Sequence, residues 1–422
     1  TDKSPFCFFF LQEKEDLPYP NLPTPGAKFR TGARLTTAAS RRTFPAMIPT
    51  YLDPRSGQTF PLESPRWCGE ARAPLMLTPL PGLVRAQIDP ATNSLWRYRA
   101  ALPLACEAPI TMGEGRTPLF ARRFAGAEAL IKAEWMMPTG SFKDRGTTVM
   151  LSLLRAQGIR AVLEDSSGNG GASVAAYAAA GGLAATILAP ESTSPAKTVA
   201  MRAVGAEVRL VPGPRQATSE AAVALSEHIF YASHAWHPFF LQGTKTLAYE
   251  LWEDLGFEAP DAIVAPCGGG SNILGCAIGF DELLRSGAIA RAPRLYAAQP
   301  AACAPIASAF AAGVEHVPVT VRPTLAEGTA IAAPVRQREV LAALRHSGGG
   351  AVALAEEEIA AATRSLAGQG IYVEPTSAQA LAAFLRLRAD GTLREGERVV
   401  LVLTGSGLKA TPRIAEMLGV AL

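Results

Sequence analysis

The chain has 422 residues, a formal charge of +3 and a hydrophobic content of 48%. That size and apolar content predict two or three domains, or one large α/β unit with an insertion, around a large core. The small charge excludes a dedicated nucleic-acid binder and gives no membrane-surface signal. No apolar run reaches the length needed to cross a bilayer, Cys7-Phe8-Phe9-Phe10-Leu11 being far too short. Cys7, Cys68, Cys106, Cys267, Cys276 and Cys303 include no Cys-x-x-Cys pair, which excludes zinc-ribbon and thioredoxin-like readings. Scattered cysteines in so long a chain predict reduced thiols and a cytoplasmic or organelle-matrix setting.

Residues 17–46 carry Arg30, Arg34, Arg41 and Arg42 and no acidic residue. That texture resembles an organelle transit peptide, or upstream sequence ahead of a start at Met47. Either way, residues 1–46 are expected to be a poorly structured or non-native extension. Residues 47–105 hold Pro54, Pro61, Pro65, Pro79 and Pro81 and predict an irregular region packing on the large domain, with one helix near 94–99.

From about residue 119, short apolar runs alternate with alanine-rich, helix-periodic stretches. This is the pattern of an α/β protein with parallel sheets. Strands are predicted over 129–133, 161–164, 184–188, 207–211, 262–265 and 399–403. Helices are predicted over 146–157, 172–180, 197–204 and 242–255. The glycine-rich or polar runs fall just after strands and before helices. Ligands of open parallel sheets bind at the carboxyl ends of strands, so runs distant in sequence are expected to converge on one cleft.

Lysine is scarce. The candidates for carbonyl chemistry are Lys132, Lys143, Lys197, Lys245 and Lys409, with Lys3, Lys14 and Lys28 in the tail. Such chemistry needs a lysine that is partly buried and able to lose its proton, whereas a lysine in isolation is ordinarily a solvated charge. Lys143 is chosen for its setting, a glycine-flanked turn reading Pro138-Thr139-Gly140-Ser141-Phe142-Lys143-Asp144-Arg145-Gly146.

Ser166-Ser167-Gly168-Asn169-Gly170-Gly171 follows a strand and opens a helix. Its amides suit a carboxylate and the Asn169 side chain suits a phenolic oxygen; the alternative is an ordinary strand-to-helix turn. It is not a dinucleotide fingerprint, because Ser173 stands at the third glycine position. Gly268-Gly269-Gly270-Ser271-Asn272 lets backbone N–H groups approach an anion beside a helix N-terminus, which suits a phosphate monoester. It is not a Walker loop, and Gly243-Thr244-Lys245-Thr246 lacks the partner glycine. The Thr404 hydroxyl, at the end of the last strand, suits a ring nitrogen. A neutral partner holds that nitrogen less firmly than an acid would, which favours elimination and replacement at a β-carbon. His234 and His237 lack both an H-E-x-x-H frame and a third ligand, so no metal is expected. Glu356-Glu357-Glu358 reads as a solvated helix start.

Together the runs at 138–146, 166–171, 268–272 and 404–409 resemble threonine synthase and its fold-type II, tryptophan synthase β-like relatives among pyridoxal-phosphate enzymes. The entry run Gly113-Glu114-Gly115-Arg116-Thr117-Pro118-Leu119, Glu327-Gly328 and Glu374-Pro375-Thr376-Ser377-Ala378 extend the likeness, which runs from about 103 to 409. It implies a two-domain α/β fold, each domain a mostly parallel twisted sheet flanked by helices, with pyridoxal 5'-phosphate in the interdomain cleft. Residues 106–145 and 246–422 would form the large cofactor domain and 146–245 a smaller mobile one.

The resemblance also implies roles. Lys143 would bind the cofactor and shuttle the proton, Asn169 would meet its phenolic oxygen and Thr404 its ring nitrogen. Gly268, Gly269, Gly270, Ser271 and Asn272 would hold its phosphate, and Ser166, Ser167, Gly168 and Asn169 the carboxylate of a small amino-acid substrate. A homodimer is the family expectation. The implied reaction is α-proton abstraction with β/γ elimination or replacement. Threonine synthase itself, which turns O-phosphohomoserine and water into threonine and phosphate, is the best-known case. A second reading is a threonine/serine-type ammonia-lyase giving a 2-oxo acid and ammonia. A third is a non-catalytic binding protein, against which the intact Lys143, Asn169, glycine loop and Thr404 speak. One departure stands out: the arginine that helps threonine synthases bind substrate phosphate falls here on Phe240, with Arg202 and Lys197 as substitutes to be weighed.

Overall fold

The computed structural model describes residues 48–104, 106–193, 195–213 and 215–421; the readings made on residues 1–46 and on a start at Met47 lie outside them. The region expected to be irregular opens with a small antiparallel sheet, β1 (Thr50–Leu52), β2 (Thr59–Pro61) and β3 (Met76–Leu77), in the order β2-β1-β3. Asp53 explains the first turn: its carbonyl accepts the Gly57 N–H and its carboxylate the Arg55 N–H, both at 2.8 Å. Tyr51 between them is fully buried and meets Phe239 edge-on at 6.1 Å. The helix expected near 94–99 is a 3-10 segment, Leu95–Ala101, capped by the Ser94 side chain.

The chain then runs β4 (Leu119–Phe124), β5 (Ala127–Lys132), α1 (Lys143–Ala156), β6 (Ala161–Glu164), α2 (Asn169–Gly181), β7 (Ala184–Pro190), α3 (Pro195–Ala203), β8 (Glu207–Val211), α4 (Arg215–Leu225) and β9 (Phe230–Tyr231). It continues through α5 (Pro238–Thr244), α6 (Thr246–Asp254), β10 (Ala262–Pro266), α7 (Ser271–Arg285), β11 (Arg294–Pro300), α8 (Pro305–Ala312) and α9 (Gln337–His346). The last elements are β12 (Gly350–Leu354), α10 (Glu356–Ala367), α11 (Pro375–Ala389), β13 (Val399–Val402) and α12 (Thr411–Leu418).

Two larger sheets result. One orders β12-β11-β10-β13-β5-β4, parallel except for β4, and the other orders β8-β7-β6-β9, parallel throughout. β10 shows why the first needs helices on both faces. Ile263 and Ala265 pack with Leu247 and Leu251 of α6 and Ile273 of α7, while Ala262 and Val264 pack with Leu381 and Phe384 of α11. The antiparallel β4 escaped the sequence reading because its exposed Arg122 and Arg123 break the apolar run. The helix expected over 242–255 is two, α5 and α6, meeting at Lys245. The Thr244 and Thr246 hydroxyls donate to the carbonyls of Leu241 (3.2 Å) and Gly243 (2.7 Å) and compete there with the helix ladder.

The start of α1 is fixed by a buried charge cluster. Arg145 donates to Glu134 at 2.7 and 2.8 Å and to Glu250 of α6 at 2.9 Å, and all three side chains have no exposed surface. Lys132 at the end of β5 meets Glu250 and Asp254 at 2.7 Å. Burial alone would raise the pKa of Glu250, but Arg145 and Lys132 outweigh it and hold the carboxyl below the usual range. Removing one partner of a buried pair strands the others. Arg145→Leu is therefore expected to destabilise the fold by about 3–5 kcal/mol, read as a lower midpoint in chemical denaturation; an unchanged midpoint would contradict the cluster's role.

Candidate active site

Among the candidate lysines the structure separates one from the rest. Lys132 is paired as above, and Lys245 donates to Glu282 at 2.9 Å and to the Ala101 carbonyl. Lys409 donates to Asn169 Oδ1 at 3.0 Å. Nothing is described of the Lys197 side chain. Lys143 does not sit in a turn, as its glycine neighbours led one to expect; it is the first residue of α1, and Asp144 beside it ties down the preceding loop by accepting from Thr139 N and Oγ1 at 2.7 and 2.6 Å. Its amine lies over the rings of Phe142 (4.8 Å) and Phe240 (5.5 Å). Burial, against the pull of Glu164 and Glu374, pushes its pKa down to about 8.

The run at 404–407 is bonded to the lysine loop. Phe142 N–H donates to the Thr404 carbonyl and Ser406 N–H to the Gly140 carbonyl, both at 3.0 Å. Thr404 is buried, with its hydroxyl 3.0 Å from Ser377 Oγ, and Ser377 Oγ accepts the N–H groups of Thr404 (3.0 Å) and Gly405 (2.8 Å). Asn169 arrives from the other sheet. It is the first residue of α2, three residues earlier than the predicted start at 172. Its Nδ2 donates to Glu374 at 3.1 Å while its Oδ1 accepts from Lys409. In sequence, Glu374 and Ser377 are only landmarks of the resemblance and Lys409 only one of several candidate lysines; their partners lie 27 to 240 positions away.

The glycine loop caps β10 and opens α7. Gly270 has φ of 84°, a left-handed value that favours glycine, and any side chain there would run into Val340. Nothing lies within 4 Å of where a Cβ on Gly269 would stand, so the loop faces open space. Ser271 and Asn272 are buried behind it, and neither polar atom of the Asn272 amide has a partner among the described residues. Such an amide is costly unless a ligand completes it. Two paths join the loop to the Lys143 cluster: the Ser271 carbonyl accepts from Thr244 of α5 at 3.0 Å, and Gly268 packs on Gly328, whose N–H donates to Thr376 beside Ser377.

Ser166, Ser167 and Gly168 lead into α2, all at least partly exposed, and Ser166 Oγ accepts the Gly168 N–H at 3.3 Å. His237 caps α5, its Nδ1 accepting Phe239 N–H at 3.2 Å, and burial together with Arg336 pushes its pKa down to about 3. His234 is instead held by Glu164 at 3.0 Å. Phe240 is fully buried on α5. Arg202 is exposed and donates to the Val208 carbonyl at 3.2 Å.

A lysine that sheds its proton near neutrality is built to capture an aldehyde, and the anion loop with its unpartnered Asn272 amide gives such an aldehyde a phosphate handle. The residues thus fit pyridoxal 5'-phosphate, and the class is a cofactor-dependent enzyme acting on amines. Residues 110–405 match the family described as "Pyridoxal-phosphate dependent enzyme". Threonine synthase of Methanocaldococcus jannaschii is 35% identical over 325 residues, covering 75% of this chain and 80% of that one. Threonine synthase of Mycobacterium tuberculosis is 34% identical over 333 residues, covering 76% and 90%. Among solved structures, a threonine deaminase from T.th. is 29% identical with a TM-score of 0.60, covering 69% and 92%. A fungal L-serine ammonia-lyase from Rhizomucor miehei, at 21% identity and a TM-score of 0.63 over 72% and 98%, shares the fold.

The chain belongs to the pyridoxal-phosphate-dependent enzyme family. Within it, the chain is a threonine-synthase-like lyase of fold type II. No helix of the described residues is long and apolar enough to cross a membrane.

The depressed lysine sets a pH dependence. Only the neutral amine attacks an aldehyde, and its fraction rises with pH up to the pKa near 8. Capture of pyridoxal phosphate by the cofactor-free protein should accelerate about tenfold per pH unit below that value and level off above it. Continued acceleration toward pH 10, followed by cofactor absorbance, would show an ordinary lysine instead.

Proposed function

We propose that this lyase acts on a β-hydroxy amino acid and releases a 2-oxo acid and ammonia. The roles that support it are these. Lys143 would hold the cofactor through its aldehyde carbon, and its neutral amine is the base that would take the α-proton of the substrate. Gly268, Gly269, Gly270, Ser271 and Asn272 would hold the phosphate, the Asn169 amide would meet the phenolic oxygen and the Thr404 hydroxyl the ring nitrogen. Ser166, Ser167, Gly168 and Asn169 take the substrate carboxylate at the N-terminus of α2. When bound, the cofactor supplies an electron sink for the bond broken at Cα. Residues 146–245 form the smaller unit, whose Asn169 reaches across to Glu374 and Lys409.

The observation that carries the substrate reading is Phe240. It occupies the place where the family resemblance puts a phosphate-binding arginine, and it is buried. Of the two substitutes, Arg202 is turned onto a strand carbonyl and nothing is described of the Lys197 side chain, while Arg145, the cation next to Gly146, is enclosed by Glu134 and Glu250. An apolar ring gives a phosphate dianion no bidentate partner. The threonine deaminase likeness points the same way. The second reading, hydrolytic conversion of O-phosphohomoserine to threonine, is favoured by the names of the curated relatives.

One panel separates the two. The holoenzyme is expected to form 2-oxo acid from L-threonine, L-serine or a bulkier β-hydroxy amino acid and to release no phosphate from O-phosphohomoserine. Phosphate release without 2-oxo acid would establish the second reading. Lys143→Ala should lose both the bound cofactor's visible absorbance and all turnover.

A further inference from the structure

Beside Lys143 stands a histidine–carboxylate pair that the roles above leave unused. Glu164 ends β6 and is fully buried. Its carboxylate meets His234 twice: Oε1 lies 3.0 Å from Nδ1, and Oε2 accepts the His234 backbone N–H at 3.0 Å. A carboxylate on Nδ1 fixes the Nδ1–H tautomer and leaves Nε2 as the free ring nitrogen. Nε2 has no hydrogen-bond partner among the described residues, and the side chain keeps 16% of its surface open.

The neighbours say what that open edge faces. The His234 ring lies against Gly170, where a Cβ would stand 2.7 Å from Nδ1 and 3.0 Å from Ser166 Oγ. Its centroid is 5.7 Å from that of Phe240, which in turn is 5.5 Å from Lys143 Nζ. A substrate carboxylate on the 166–169 amides, with Cα about 3 Å from the amine that takes its proton, sends its side chain into the space these groups enclose. The charges acting on Lys143 are Glu164 and Glu374, and Lys409 is bonded to Asn169 of the same loop. Asp165 is turned away onto Arg215 and Ser219, at 2.7 and 2.8 Å.

We infer that His234, held by Glu164, is the specificity-determining residue for the substrate side chain. Nε2 accepts a hydrogen bond from the β-hydroxyl, the buried Phe240 ring backs the imidazole on its apolar side, and the Glu164 carboxylate behind the ring repels a phosphate dianion. The inference rests on the hydroxy-amino-acid reading. A site built to bond a hydroxyl discriminates against the analogue that lacks one, because its own polar atom is left unpaired.

The test uses the pyridoxal-phosphate-loaded enzyme and two ligands without an α-proton, which cannot be turned over: α-methyl-L-serine and its deoxy analogue 2-aminoisobutyrate. Dissociation constants are read from calorimetry and from the shift in cofactor absorbance. The wild type is expected to hold α-methyl-L-serine about tenfold more tightly than the deoxy analogue. His234→Ala should bring that ratio to about one with the affinity for 2-aminoisobutyrate unchanged, and Glu164→Gln should lower it by less. If His234→Ala loses its cofactor, His234→Phe keeps a ring against Gly170 and gives the same reading. A ratio near one in the wild type, or one that survives loss of the imidazole, overturns the inference while leaving 2-oxo acid formation to stand. Failure of the wild type to form any 2-oxo acid strikes the parent reading instead.

Discussion

The salt-bridged guanidinium of Arg145, enclosed between Glu134 and Glu250, is the constraint on which the rest of the site depends. With Lys132 they make four charged side chains buried together, which recover their desolvation cost only if every bond is made. Thr117 of the entry motif adds its hydroxyl to Glu134 at 2.7 Å and its N–H to Glu250 at 2.9 Å. The cluster therefore fixes the register of α1 against β5 and α6, and Lys143 lies two residues away on the same helix. It also allocates the carboxylates. Arg145 and Lys132 claim Glu134, Glu250 and Asp254, so Lys143 is left with Glu164 and Glu374, which do not offset its burial. A lysine with a depressed pKa is thus the outcome of where its neighbours' partners went.

A second polar network ties the substrate loop to the lysine. Ser173 of α2 donates to Asp144 at 2.6 Å, and Tyr177 one turn on donates to Glu114 at 2.8 Å. Glu114 also accepts from Thr148 of α1 at 2.8 Å and from the Trp96 indole at 2.9 Å. Ser173, whose presence argued against a dinucleotide fingerprint, has a positive reason to be there: its hydroxyl couples the helix that presents Asn169 to the helix that presents Lys143. Hydrogen bonds to a buried carboxylate are directional and hard to replace, so the two helices move as a pair or not at all.

These networks mark the boundary of what sequence shows. The strands at 161–164 and 207–211 and the loops after β6, β10 and β13 were legible, because apolar runs ending in glycine or hydroxyl residues are local signals. The roles of Glu374 and Ser377, and the bond that Lys409 makes to Asn169, carried no local signal, since their meaning lies in partners brought near only by the sheets. Lys245 is the converse: locally it reads as a candidate for chemistry, yet α7 delivers Glu282 to it and turns it into a structural cation. His234 was weighed only as a metal ligand, because its carboxylate partner is 70 positions earlier.

Phe240 shows how deeply substrate choice is written into such a fold. Its ring fills the space over Gly146 of α1, where even a methyl group would collide with it. It also touches the core that holds Tyr51 and Phe239. A guanidinium placed at 240 would have to leave this apolar packing or bury its charge beside Lys143, and either change would disturb the helix that carries the lysine. The replacement of an anion clamp by a ring is therefore not a surface adjustment that one reversion would undo. The same packing that positions Lys143 commits the neighbouring wall of the site to apolar contact, leaving His234 and Glu164 as the polar groups on that side of it.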